Sequence, residues 1–122
     1  MSSQRQILGR RGEDLARRHL TANGYTIVHA NYRTRGGEID LVAEKDGTLV
    51  FVEVRTRTGS ALGSPEESIT PRKREHLVAA AQQYLQEREI EGREWRIDLV
   101  AVELRPRGGL RRGDILPNAV EL

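Results

Sequence analysis

Apolar positions recur at helical spacing over residues 7–23, where Leu8, Gly12, Leu15, Ala16, His19 and Leu20 fall on one stripe. Asn23-Gly24 supplies the stop. Residues 25–34 read as a first strand with a ragged second half, and Arg35-Gly36-Gly37 turns the chain into the stretch that organises the rest, residues 36–57. There, two runs rich in Val, Ile, Leu and Phe flank Asp46-Gly47, the strongest short-range signal for a β-hairpin. A two-residue loop pairs Lys45 with Thr48 and, counting outward, sets Asp40 opposite Glu53 and Glu38 opposite Arg55. Ile39, Leu41, Ala43, Val50, Val52 and Val54 make one apolar face, which a helix must cover. On the other face Val42, Leu49 and Phe51 are apolar near the turn, and the acids and Arg55 lie at the far end. A Gly/Ser/Pro loop over residues 58–69 leads to a second helix, with Thr70 as N-cap and Pro71 at the first helical position. Its buried stripe is Leu77, Val78, Ala80, Ala81, Tyr84 and Leu85, and Gly92 lies just past its end. Residues 94–104 form a further strand, with Ile97, Leu99 and Ala101 on one side and Arg96, Asp98, Val100 and Val102 on the other. A basic loop follows at 105–113, and residues 114–122 add a short edge strand. The order α-β-β-β-α-β(-β) predicts an α/β fold, a mixed sheet flanked by helices on both faces.

Composition narrows the picture. A chain of 122 residues is expected to form a single domain with one core, about residues 8–104, followed by the basic loop and C-terminal segment at 105–122. Without cysteine there is neither a disulfide framework nor a thiolate zinc site. The charged fraction is 31% and no long apolar run occurs, so no membrane partner and a cytoplasmic location are expected. The net charge of +2 says little, but the kind of base says more: Lys45 and Lys73 are the two lysines and the remaining bases are arginines. The planar fork of Arg suits phosphate; a compositional bias of the source organism would also produce such a chain.

Candidate chemistry begins with the opposed acids. Directly paired side chains lie about 4.5–5.5 Å apart at Cβ, and like charges there destabilise a sheet. Either Asp40 and Glu53 are solvated or a positive charge sits between them, and a hard divalent cation takes carboxylate oxygens. Glu13 borders the apolar stripe of the first helix instead of facing open water; the alternative is a solvated helix acid pairing with Arg10 or Arg17. Arg72, Lys73 and Arg74 begin the second helix, where the dipole disfavours cations; the turn is either a solvated basic face or an anion site. Arg105, Arg107, Arg111 and Arg112 are further candidates for phosphate contacts. Asp98 is either a metal ligand or an acid paired with an Arg. His19 reads as part of a packed helix face, His29 and His76 as surface residues, and Trp95 as a core or strand-end anchor.

Asp40 followed a hairpin later by Glu53-Val54-Arg55 resembles the signature of the PD-(D/E)XK nucleases, whose core has the same element order. A wider set of motifs is more specific: Gly12-Glu13, Gly-Gly-Glu-Ile-Asp-Leu-Val, Val-Phe-Val-Glu-Val, and Ser-Ile-Thr-Pro-Arg-Lys with Ala-x-x-Tyr-Leu downstream. Over roughly residues 8–104 these resemble the bacterial YraN-like proteins, uncharacterised protein family 0102, related to restriction endonucleases and Holliday junction resolvases. The resemblance implies a restriction-endonuclease-like core and a metal-dependent endonuclease acting on DNA, branched structures included. It implies Asp40 and Glu53 as ligands of Mg²⁺ or Mn²⁺, Glu13 as the helix acid completing the site and Glu38 at its edge. Junction enzymes tend to be dimers, which makes a homodimer an option, although nothing in the sequence marks an interface. The third element of the motif is normally Lys and here is Arg55, which stays charged and cannot act as a base. Arg55 would hold the attacking water or stabilise the phosphate, and Lys73 is a candidate to supply the ammonium from another element. The alternative is a non-catalytic nucleic-acid-binding or partner-docking module that retains the fold.

Overall fold

The computed structural model describes residues 4–58, 67, 69–107 and 109–120. Of the frayed terminus expected over residues 1–6, residues 1–3 lie outside the described residues and residues 4–6 are helical; nearly all of the loop expected at 58–69 also lies outside them. Two helices and five strands follow in the order α1 (Gln4–Ala22), β1 (Thr26–Thr34), β2 (Gly37–Lys45), β3 (Thr48–Thr58), α2 (Pro71–Glu87), β4 (Trp95–Leu104) and β5 (Leu110–Leu116). The strands lie side by side in chain order, antiparallel except for the parallel pair β3–β4. The α/β class and the expected element order both hold. No helix is long and apolar enough to cross a membrane among the described residues.

A helix covers each face of the sheet. Ala16 and Leu20 of α1, both fully buried, pack on Leu41, Ala43, Val50, Val52, Val100 and Val102. Leu77, Ala80, Ala81 and Tyr84 of α2 pack on Ile39, Val42, Leu49, Phe51 and Ile97. Burying a Leu or Val side chain contributes about 1.5–3 kcal/mol, so these two layers dominate the stability. The expected apolar face needs one correction: Ile39 belongs to the α2 side, whereas Leu41 and Ala43 belong to the α1 side. Side chains two apart on a regular strand share a face, so the alternation breaks between these positions, at Asp40.

Three local features fix what surrounds that break. Gly12 lets α1 lie directly on β3: a Cβ there would be 1.8 Å from Thr56 Oγ1 and 2.8 Å from Thr56 Cβ. The next residue, Glu13, is thereby brought to the end of the hairpin. At the start of α2 the Thr70 hydroxyl accepts from the Lys73 N–H at 3.1 Å, with Pro71 at the first position, as expected. Asp98, fully buried, accepts from Tyr25 Oη (2.8 Å), Arg96 Nε (2.9 Å) and the Asn118 N–H (2.8 Å). Its oxygens are committed to this network, which settles the choice left open for Asp98 in favour of an Arg-paired acid.

Two boundaries move. Helix α1 starts at Gln4 instead of residue 7. Strand β5 starts at Leu110 instead of residue 114, and its Arg112 and Gly113 pair with Glu103 and Val102 of β4. An Arg- and Gly-rich run reads as loop by composition, yet an edge strand needs only backbone partners, and β4 supplies them.

Candidate active site

The hairpin has the expected register from Lys45↔Thr48 to Leu41↔Val52. Asp46 (φ 49°) and Gly47 (φ 83°) both take the left-handed conformation that a tight two-residue hairpin turn requires. The β2–β3 ladder ends at Leu41↔Val52. Just beyond, the Asp40 side chain takes over a backbone role, and its Oδ2 accepts from the Val54 N–H at 2.8 Å. On the opposite flank, the pairs Ala30↔Leu41 and Tyr32↔Ile39 leave Asn31 across from Asp40. Asn31 sits at φ 53°, which Asn tolerates better than most residues. Its Nδ2 donates to Glu13 Oε1 at 3.0 Å. Both strands next to Asp40 thus depart from regular pairing, and the carboxylate reaches into the seam between β2 and β3.

Asp40 and Glu53 meet in that seam. Burial is the largest cause holding the Asp40 carboxyl in its protonated form, raising its pKa to about 8. A hydrogen bond to Glu53 and the Glu53 charge act in the same direction, the Val54 N–H opposes them, and the Glu13 charge adds a further upward push. Glu53 is 6% exposed. Its Oε2 lies 3.0 Å from Lys73 Nζ and 3.5 Å from Arg55 Nη2. Neither cation is aligned to hydrogen-bond with it, and Glu53 Oε2 and Arg55 Nε are both buried without a hydrogen-bond partner. The centre is therefore a protonated Asp40 carboxyl hydrogen-bonded to Glu53, beside two cations that meet Glu53 Oε2 at ion-pair distance. Such a pair suits a small divalent cation that replaces the proton, since Mg²⁺ is commonly held by one or two carboxylates and keeps several waters. Among the described residues no group of three His, Cys, Asp or Glu side chains is arranged to hold a metal, so Glu13 does not complete a three-acid cage with Asp40 and Glu53. Glu13 is held by Asn31 instead of by Arg10 or Arg17, and Glu38 is exposed.

Asp40, Arg55, Glu13 and Glu38 line a cleft of about 790 Å³, whereas Glu53 and Lys73 are not part of its lining. Helix α1 lines it with Leu8, Gly9, Arg10 and Glu13, β1 with Arg33, β2 with Glu38 and Asp40, and β3 with Val54, Arg55 and Thr56. The structure thus gathers Asp40, Glu53, Arg55, Lys73, Glu13 and Glu38 around one seam. The other candidate bases are dispersed. Arg72 and Arg74 are exposed on the first turn of α2, Arg105 and Arg107 in the β4–β5 turn, and Arg111 on β5. Arg112 is a correction to the expected phosphate-contacting loop: it pairs with Glu103 (3.4 Å) and Asp114 (2.5 Å) within the sheet. His29 also departs from expectation. It is half-buried and packs against Tyr32 and Tyr84, with ring centroids 5.7 and 5.8 Å away. Trp95 packs edge-on against Phe51 as a strand-end anchor. Sequence reasoning missed Asn31, Arg10 and Arg33. Arg10 stands three residues before Glu13 on the same helical stripe, a signal that was available; the left-handed Asn31 had none.

Comparison with known proteins points to one family. The model of an uncharacterised protein family, UPF0102, matches residues 12–102. A UPF0102 protein of Desulfitobacterium hafniense is 43% identical over 119 residues, covering 95% of this chain and 96% of the relative. One from Pelotomaculum thermopropionicum is 43% identical over 119 residues, covering 98% and 99%. One from Roseiflexus castenholzii is 43% identical over 126 residues, covering 99% and 98%.

Proposed function

The chain belongs to the uncharacterised protein family UPF0102, and on that premise we propose that it is a metal-dependent endonuclease that cleaves phosphodiester bonds in DNA, branched DNA included. The observation that supports this reading is the Asp40–Glu53 carboxyl pair at the end of the hairpin, with a lysine ammonium 3.0 Å from Glu53 Oε2. Asp40 and Glu53 would hold Mg²⁺ or Mn²⁺. When bound, the ion supplies Lewis acidity toward a phosphoryl oxygen and makes a coordinated water a nucleophile near neutral pH.

The remaining roles fall to the chain's own groups. Gly12 seats α1 against β3, and Asn31 orients Glu13 at the cleft wall, where a carboxylate can accept a hydrogen bond from a water. Glu38 lies at the mouth. Arg55 stays cationic and offers donors to the charge that develops on the phosphate. Lys73 stands in for the lysine that β3 lacks: an ammonium next to a carboxylate can pass a proton, which a guanidinium cannot. A second reading keeps the fold and the nucleic acid but not the chemistry. It is favoured by Arg55 at the position of the motif lysine and by the hold of Asn31 on Glu13, away from the carboxylate pair.

Incubation of the protein with single-stranded, duplex and four-way DNA in Mn²⁺ separates the two. Cleavage by the wild type that is lost in Asp40→Asn supports the nuclease. Salt-sensitive DNA binding without cleavage under Mg²⁺ or Mn²⁺ supports the binding module, and cleavage that survives Asp40→Asn removes the proposed site.

A further inference from the structure

Some arginines of this protein are engaged by carboxylates and others are not. Arg18, Arg93, Arg96 and Arg112 are engaged with Asp14, Glu44, Asp98 and Glu103. Arg10, Arg11 and Arg17 of α1, Arg33 of β1, and Arg105 and Arg107 of the β4–β5 turn are exposed, and none has a carboxylate at ion-pair distance among the described residues. These six are neighbours. Arg10 and Arg33 line the cleft over Asp40. Arg10 also lines an adjoining cleft of about 520 Å³ with Arg11 and Arg17. Arg11 in turn lines a third, of about 330 Å³, with Arg105 and Arg107. Residues 10, 13 and 17 share one helical stripe, so Glu13 stands between two arginines, yet its hydrogen bond goes to Asn31. Carboxylates within reach thus leave this group of guanidinium ions uncompensated, and phosphate is the ligand that planar donor forks fit best.

We propose that these six arginines form a track for the phosphates of a nucleic acid, which crosses α1 between residues 10 and 17 and presents one phosphodiester to Asp40 and Glu53. The inference rests on the nuclease reading and adds to it the path of the substrate, which runs over α1 and β1 and not along β5. Arg10 and Arg17 are about 10 Å apart along the helix axis, the axial rise of about three phosphates of one strand. Arg10 and Arg17 therefore reach separate phosphates, and the adjacent Arg11 adds charge beside Arg10.

The test is the salt dependence of binding to a fluorescently labelled 20-base-pair duplex in EDTA, read by anisotropy. Replacing Arg10, Arg11 and Arg17 together by Ala should lower the slope of log K against log salt by about 2–3. It should also weaken binding more than tenfold at 0.1 M salt. The triple Lys variant keeps the charge and should keep the slope, and Arg93→Ala, which removes a base already paired with Glu44, should leave it unchanged. Matching circular dichroism and thermal midpoints exclude misfolding as the cause. A wild type that binds and cleaves DNA while the triple Ala variant keeps its slope overturns the track and leaves the nuclease reading standing. A wild type with no affinity at 20 mM salt overturns both.

Discussion

Replacing Asp40 by Asn should make the metal-free protein more stable at neutral and alkaline pH, because the fold holds this carboxyl protonated. Its pKa is raised from an ordinary 3.8 to about 8, first by burial and then by Glu53. Below about pH 4 the group is protonated in both the folded and unfolded chains and has no effect on the pH dependence. Between about pH 4 and 8 the unfolded chain releases the proton while the folded chain keeps it, so stability falls as pH rises. Above about 8 both forms are ionised and the loss is complete. At about 1.4 kcal/mol per pH unit, the loss across the window is on the order of 5 kcal/mol, a large part of the 5–15 kcal/mol that holds a typical domain together. Urea unfolding followed by Trp95 fluorescence at half-unit pH steps, with Asp40→Asn as reference, isolates this contribution from the other titrating groups. The difference between the two proteins should grow steadily from pH 4 to 8 in favour of Asn. Mn²⁺ at one hundred times its Kd should return about 2.7 kcal/mol to the wild type at pH 8. A flat difference profile, or one that grows in favour of Asp40, would refute the reasoning, since it would mean that the carboxylate is ionised in the fold.

Gly12→Ala should lose about 1–3 kcal/mol by overpacking, despite the better helix propensity of Ala, because its Cβ would meet Thr56 Oγ1 at 1.8 Å and Thr56 Cβ at 2.8 Å. Thr56→Ala in the same chain should restore part of the loss, and a Gly12→Ala protein as stable as wild type in urea would contradict the close approach of α1. Asp98→Ala should cost about 3–5 kcal/mol by leaving Arg96, Tyr25 Oη and the Asn118 N–H without their common acceptor, a fall visible in the thermal midpoint. Lys73→Ala should lower DNA cleavage by at least about 10²-fold while Mn²⁺ binds as tightly or more tightly, because a cation 3.0 Å from Glu53 has been removed. Lys73→Arg should not rescue the rate; a rescue would assign Lys73 a purely electrostatic role.

The legible part of this fold is the part set by local chemistry. Asp46-Gly47 dictates the turn, the turn dictates the register of five residue pairs, and Thr70-Pro71 dictates where α2 begins. The proximity of Asp40 and Glu53 could therefore be counted out from the turn, although the ladder stops at Leu41↔Val52, before the expected Asp40–Glu53 and Glu38–Arg55 pairs. What could not be counted is the break at Asp40. It depends on Asn31 adopting a left-handed conformation in another strand and on the Val54 N–H finding a side chain in place of a backbone carbonyl, and a strictly alternating pattern assigns Ile39 to the wrong face. Lys73 at Glu53 was within reach because the helix start places it; its distance was not. Arg10, Arg11 and Arg17 read as an ordinary solvated helix face until the clefts that share them as lining are seen. Arg112 and His29 were misplaced for the opposite reason, since tertiary partners, Glu103 for one and Tyr32 and Tyr84 for the other, draw in residues that composition assigns to the surface.

Calorimetric titration of the wild type and of Asp40→Asn with Mn²⁺ at pH 8 tests the central claim, that Asp40 and Glu53 together hold a divalent cation. The wild type should bind one ion with release of protons, as the metal displaces the one that Asp40 retains, and Asp40→Asn should bind none in the same concentration range. Equal Mn²⁺ affinity in the two proteins would contradict the account.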